Sequence, residues 1–232
     1  MKAYLIVAYL FLTAPAIGQK HSISLNYMPS LTYFGKQTQS FKHYYFASRK
    51  GNQTFNSSVN VLYSYKLSSK VSLTTGLEYS QQGQNINFNA DSAFPSDNRK
   101  ILKIELNYLR IPVTINYSIL KMAKSELNIY SGISLGIVNK RRDNYQDIIL
   151  DFVLLGPAEK RYKSEDWALP IGANYKKELT SGVFANLGFE YLFGLTNAFS
   201  DSSAEVGVLS EFYNSKQNRL SLNIGISFNL TK

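Results

Sequence analysis

From Leu220 to Leu230 every second residue is apolar. Leu220, Leu222, Ile224, Ile226, Phe228 and Leu230 share one face, and Ser221, Asn223, Gly225, Ser227 and Asn229 share the other. A period of two predicts a strand with one greasy and one hydrated side. The same alternation predicts strands over Ile23–Tyr33, Phe55–Tyr65, Val71–Tyr79, Leu109–Tyr117, Leu127–Ile137, Trp167–Tyr175 and Val183–Phe193, which makes eight. Ahead of the fourth, Ile104, Leu106 and Tyr108 are even-numbered, whereas the apolar series from Leu109 onward is odd. One inserted residue near Tyr108, a bulge, would reconcile the two phases. Pro29, Pro112 and Pro170 fall inside the patterns and are expected at bulges or strand ends, because proline removes a ladder hydrogen bond.

The gaps between strands alternate in length. Lys66–Lys70, Ser118–Ser125 and Lys176–Gly182 are tight. The other four connections each run to about 20 residues or more, a length unusual inside a compact soluble domain. Short turns at one end and long loops at the other are the rule for a transmembrane β-barrel. With an even number of strands and a long loop first, both termini are expected on the short-turn, periplasmic side.

Polarity of the two faces decides between a membrane barrel and a soluble one. A soluble eight-stranded barrel would turn its apolar face inward. Here the apolar faces carry no charge, as expected if a lipid-facing charge costs about 2–4 kcal/mol at the bilayer midplane. The opposite faces hold Ser, Thr, Asn and Gly, with the charges Glu78, Glu190 and Arg219. Small polar groups suit a crowded barrel interior. Tyr63, Tyr65, Tyr117, Tyr175 and Phe228 fall near the periplasmic strand ends, and Tyr79, Trp167, Tyr191 and Phe193 near the outer ends. Two aromatic girdles are expected of a spanning barrel.

Composition narrows the address. Mean hydropathy is −0.18, and after the N-terminus no run of about 18 apolar residues could form a spanning helix. Lys2, the apolar stretch Ala3–Ala14 and the small residues of Ala16-Ile17-Gly18 read as a secretory signal at 1–18, leaving 19–232 as the barrel domain. With no cysteine, neither a lipid anchor on a mature cysteine nor a disulfide is available, and closure of the sheet is an alternative source of stability. The formal charge of +9 falls by one when Lys2 leaves. For an exported chain this excess points to anionic headgroups or cell-surface polymers rather than to nucleic acid.

Catalytic chemistry is not evident. His21 and His43 are the only histidines, and neither sits where a strand-borne serine could use it. No cofactor is expected. Metal-site spacing is absent: there is no cysteine and no paired histidine. Asp143, Asp147, Asp151, Glu159, Glu165 and Asp166 in the third long loop lack calcium-loop spacing and read as a solvated loop. Lys140, Arg141 and Arg142 follow directly on a strand and are candidates for contact with lipid phosphates. The apolar segment Ile148–Leu155 reads as an extension of its hairpin. Inside, Glu78, Arg110, Glu190 and Arg219 are expected to form a salt-bridged plug, since buried charges need partners. Eight strands leave a lumen little wider than its own side chains, so a wide pore is not expected.

Specific strings resemble a known family. Tyr108-Leu109-Arg110-Ile111-Pro112-Val113 and Tyr191-Leu192-Phe193-Gly194-Leu195-Thr196-Asn197 are similar to stretches of the PorT-like outer-membrane β-barrels. Arg110 stands where that family often carries an acidic residue. The tail residues Asn223, Gly225, Phe228 and Leu230 resemble the C-terminal β-signal read by the barrel-assembly machinery, which would be one partner. The resemblance implies an eight-stranded barrel in the outer membrane of a Gram-negative bacterium, without implying one activity. The combined expectation is an all-β, monomeric, antiparallel up-and-down barrel in outer-membrane lipid. Its long loops would serve surface binding or envelope structure. The rival reading makes it an accessory barrel of a secretion or transport assembly.

Overall fold

The computed structural model describes residues 21–34, 46–90, 100–145, 162–198 and 215–230. They form β1 (His21–Phe34), β2 (Phe46–Asn52), β3 (Thr54–Lys66), β4 (Val71–Ala90), β5 (Lys100–Met122), β6 (Ser125–Tyr145), β7 (Glu165–Thr180), β8 (Val183–Gly194) and β9 (Gln217–Asn229). Each strand from β3 to β8 pairs antiparallel with the next, and β1 pairs with both β3 and β9. The sheet therefore closes on itself and has no edge in the ring. β2 continues β3 beyond Gln53 and pairs only with the far end of β4, so the nine strands make eight staves.

Orientation follows the alternation. Leu73, Ile133, Leu187 and Ile224 all point away from the axis and are exposed. Ser24, Asn60, Thr74, Asn128, Asn186 and Ser227 are buried inside. An apolar outer surface is stable only against hydrocarbon, where removing apolar area from water is worth about 25 cal/mol per Å². On β5 the lipid-facing run extends from Leu109 to Ile119. That span agrees with the roughly 9–11 residues a tilted strand needs to cross a bilayer. The aromatic residues assigned to the two girdles lie at opposite ends of the barrel: Tyr117 pairs with Val71 beside a short turn, while Tyr79 pairs with Leu109 near the long-loop end.

Three expectations about local geometry change. First, the prolines sit in mid-strand without bulges. The ladder skips Met28–Pro29 between β1 and β9, Ile111–Pro112 between β4 and β5, and Leu169–Pro170 between β6 and β7, yet the register is the same on either side of each gap. Each proline lacks one donor toward one neighbour and stays paired with the other, Ser57, Ser134 and Leu192 respectively. Second, β5 has no change of face at Tyr108. Ile104, Leu106 and Tyr108 point inward with Arg110, and the register shift lies on β6, where Asn139 is left out between Lys140 and Val138. Third, the barrel is taller than the alternation alone indicates. β4, β5 and β6 continue well past the outer girdle, and β2 occupies part of the first long gap. Beyond the girdle the outer surface is wet, so the apolar-outward signature stops while the strands do not.

Candidate functional site

The interior resolves into three storeys. The middle storey is ionic. Arg219 on β9, with no exposed surface, donates to Glu78 on β4 and, at 2.6 Å, to Glu190 on β8. Its Nη1 also donates to the hydroxyls of Ser58 at 2.9 Å and Ser80 at 2.7 Å. The hydroxyl of Tyr130 donates to the second oxygen of Glu190 at 3.2 Å. Period-two phase on five different strands brings these groups to one level, and their mutual contacts compensate a desolvation cost of several kcal/mol per ion.

Arg110 does not join this cluster by direct contact. It lies just above and donates to Asp166 on β7, whose side chain is almost fully buried. The hydroxyl of Thr196 donates to the other oxygen of Asp166 at 3.0 Å and itself accepts from the backbone N–H of Trp167 at 3.0 Å. Gly136, on the neighbouring strand, leaves the room Arg110 occupies: a Cβ there would lie 2.9 Å from Nη1. Asp166 was expected in a solvated loop. Its phase could have located it, because Trp167 faces lipid and the residue before it must then face the axis.

The upper storey is mixed: Ile104, Leu106, Tyr108, Phe34 and Leu192 are each at most 2 % exposed and point inward above the ionic level, and the buried polar side chains of Thr32, Gln82, Gln84 and Gln217 share the same space. The guanidinium of Arg110 lies 4.7 Å from the centroid of the Tyr108 ring, joining the two storeys by a cation–π contact. On the outer face of the same stretch the polarity is reversed. Asn107 donates to the Tyr79 hydroxyl at 2.9 Å, and Lys103 pairs with Glu105 at 2.8 Å. That hydrogen bond, with the positive charges of Lys103, Arg142 and Lys140, holds the Glu105 carboxyl below its ordinary pKa against a smaller opposing effect of burial.

The basic triplet is therefore split. Lys140 pairs with Asn107 and Arg142 with Glu105, both on the outer surface just above the lipid-facing belt. Arg141 pairs with inward-facing Leu106, and its charge acts on buried Tyr108, so it belongs to the interior. Of the tail residues, Phe228 and Leu230 are exposed on the outside, while Asn223 faces the lumen. Gly225 also faces inward, and a Cβ there would meet Asn26 Oδ1 at 2.0 Å. Asn26 uses that space to donate to Asn60 at 2.7 Å, a packing reason for glycine independent of assembly. His21 opens β1 against Tyr63, whereas His43 and Ile148–Leu155 lie outside the described residues. Among the described residues no group of three or more His, Cys, Asp or Glu could hold a metal.

The lowest storey is a polar vestibule of about 360 Å³ between the ionic level and the short turns. Its floor is Glu78 and Glu190, and its walls carry Asn26, Asn60, Asn174 and Asn223.

Comparisons with known proteins agree with this architecture. The family described as "Outer membrane protein beta-barrel domain" matches residues 34–200, well over half of the chain. Among solved structures, Neisserial surface protein A is similar at 9% identity and a TM-score of 0.50, covering 90% of this chain and 97% of that one. OprG of Pseudomonas aeruginosa is similar at 12% identity and a TM-score of 0.51, covering 92% and 97%. At such identities the likeness is one of fold. No curated protein matches the sequence.

Proposed function

The chain belongs to the outer membrane protein beta-barrel domain family, and from that premise we propose that it is a closed, non-catalytic barrel presenting its long-loop end as a rigid surface for binding or envelope contact. The observation that carries this reading is the stacked plug. Arg110 and Arg219 are fully buried and ion-paired beneath a storey whose side chains, Ile104, Leu106 and Gln84 among them, are themselves buried, which opposes solute flow through the axis. The continuation of β4, β5 and β6 beyond the lipid belt supplies a stiff support for whatever the loops contact. Within the family, Tyr108–Val113 and Tyr191–Asn197 support a place among the PorT-like barrels. The structure gives those residues physical roles: Tyr108 and Arg110 build the plug, Pro112 sits at a ladder gap, and Thr196 buttresses Asp166.

The same reading includes removal of 1–18, insertion by the barrel-assembly machinery through Asn223–Leu230, a monomeric state, and both termini in the periplasm. Lys140 and Arg142 are the headgroup contacts it assigns. Because the chain lacks cysteine, orientation is directly testable. Lys103→Cys should react with a membrane-impermeant maleimide on intact cells, and Lys124→Cys only after permeabilisation. Labelling in the opposite order would overturn the surface role. A second test is planar-bilayer recording of the refolded barrel: it should show no steady conductance, and a large stable current would refute the closed lumen.

A further inference from the structure

Below the lower aromatic girdle the outer face stays apolar. Leu67 lies two positions beyond Tyr65, Ile119 two beyond Tyr117, Leu230 two beyond Phe228 and Leu179 four beyond Tyr175. Each of these four aliphatic side chains is more than half exposed. Two of them owe their place to bulges: the β5–β6 ladder skips Ile119, and the β7–β8 ladder skips Leu179. A bulge puts one extra residue on one strand, and in both hairpins that residue is a large aliphatic one. Three of the four mark the three short turns, and Leu230 marks the chain end, where β9 adjoins β1. They therefore encircle the barrel rather than form a patch on one side.

The ring is fastened along its length. The backbone N–H of Ser118 donates to the carbonyl of Lys70, that of Glu178 to Lys124, that of Asn229 to Gly182 and that of Leu230 to His21, each at 2.8 Å. Every short turn is thus tied to the stave that follows it. Basic charge is threaded through the same level. Residues 66–70, 119–126 and 176–182 hold six lysines against two glutamates. Lys70, Lys121, Lys124 and Lys177 are exposed, and none of the four is in an ion pair among the described residues.

We propose that this rim is a docking surface for anionic phospholipid in the leaflet at the short-turn end. The aliphatic ring seats at the boundary of acyl chains and headgroups, and Lys70, Lys121, Lys124 and Lys177 hold the phosphates. Depth supports the assignment. Two residues of a strand tilted by about 45° descend roughly 5 Å, and the headgroup layer is about 5–7 Å thick. Shape supports it as well, because the ring continues the lipid-facing belt on every side, whereas a folded partner would cover one side. The charge then selects among lipids: a surplus of cations with long flexible stems reaches anionic headgroups better than zwitterionic ones. The surface lies at the opposite end from the long loops, so it stands or falls separately from the surface role.

The test uses the full mature chain refolded into phosphatidylcholine vesicles and read by electron paramagnetic resonance. Nitroxide-labelled phosphatidylglycerol should be immobilised against the barrel in preference to labelled phosphatidylcholine by about fivefold at low salt, the factor that one lysine near a headgroup supplies. The variant K70Q/K121Q/K124Q/K177Q should bring that preference close to unity, and heat-modifiable gel mobility checks that it folds. The variant K140Q/R142Q, at the other rim, should keep most of it. Because the chain has no cysteine, the depth of the ring is read separately. A nitroxide on L67C or I119C should be more accessible to oxygen than to a water-soluble nickel complex. The proposal is overturned if the parent shows no preference, if the folded quadruple variant keeps it, if it is lost with K140Q/R142Q, or if nickel reaches the ring more readily than oxygen. Vesicles report on this rim whichever way the barrel faces in the cell, so a reversed orientation would show in the maleimide labelling alone.

Discussion

Between Leu109 and Ile119, β5 turns Leu, Ile, Val and Tyr outward and Arg110, Thr114, Asn116 and Ser118 inward. Between Lys103 and Tyr108 it turns Lys103, Glu105 and Asn107 outward and Ile104, Leu106 and Tyr108 inward. The strand is continuous, its pairing with β4 keeps one register from end to end, and no residue changes face. What changes is the medium outside, hydrocarbon beside the first stretch and water beside the second. One barrel therefore contains two kinds of interior. The lower is polar because the outer face already satisfies the hydrophobic demand. The upper adds apolar side chains, Ile104, Leu106 and Tyr108, to buried polar ones such as Gln82 and Gln84, because a wet outer face leaves only the axis for burial. The ionic level of Arg110 and Arg219 sits at the join.

The largest effect is expected where the polar interior is broken without being converted. Arg219→Leu leaves Glu78 and Glu190 buried at close range with no cation between them. Removing one partner of a buried ionic cluster costs about 3–5 kcal/mol. Equilibrium unfolding by guanidinium in lipid vesicles measures it. Converting the level fully, with R219L/E78L/E190L, should recover most of that loss, because well-packed apolar groups often replace buried ions at little cost. A triple variant as unstable as the single one would show that the lower interior cannot accept the chemistry of the upper, and the comparison would fail.

The next effect lies on the outer surface. Ile133→Lys places a charge in the lipid belt and should cost about 2–4 kcal/mol in the same assay. Asn107→Lys places the same charge on the outer face beyond the belt, and surface changes of that kind stay within about 0.5 kcal/mol. Equal costs at the two positions would remove the distinction between a lipid-facing and a water-facing stretch.

The same boundary explains which parts of the molecule were legible in the sequence. Within the belt, alternation located every strand of the ring, and the residues placed on the lipid face, such as Ile133 and Ile224, are there. Beyond the belt the alternation persists with its sign inverted. Ile104, Leu106 and Tyr108 then look like strand residues slipped by one position, and the bulge they suggest actually belongs to Asn139 on the neighbouring strand. Periodicity reports which residues share a face; it does not report which medium lies beyond that face. Glu78, Glu190 and Arg219 could be grouped in advance because each is a charge in a polar phase. Asp166, one residue before lipid-facing Trp167, also lies in a polar phase, but a run of acidic neighbours made it resemble a loop. The proline gaps were equally hidden, since only the register on both sides shows that a ladder skips a pair without shifting.

The smallest effect offers the sharpest comparison. Ile104→Val and Ile133→Val delete the same methylene-sized group from the same residue type, once inside the upper barrel and once on the lipid face. Inside, Ile104 is 1 % exposed, and neighbours such as its ladder partner Gln84 are fixed by the closed sheet and relax only in part. The change therefore carries a cavity cost and should destabilise by about 0.5–1.5 kcal/mol. At Ile133 the surroundings are fluid acyl chains, which flow into the space, so the cavity contribution vanishes and the loss should fall below that range. Paired guanidinium titrations in one lipid resolve the difference, and an equally small loss at Ile104 would mean that the upper storey is not packed as a core.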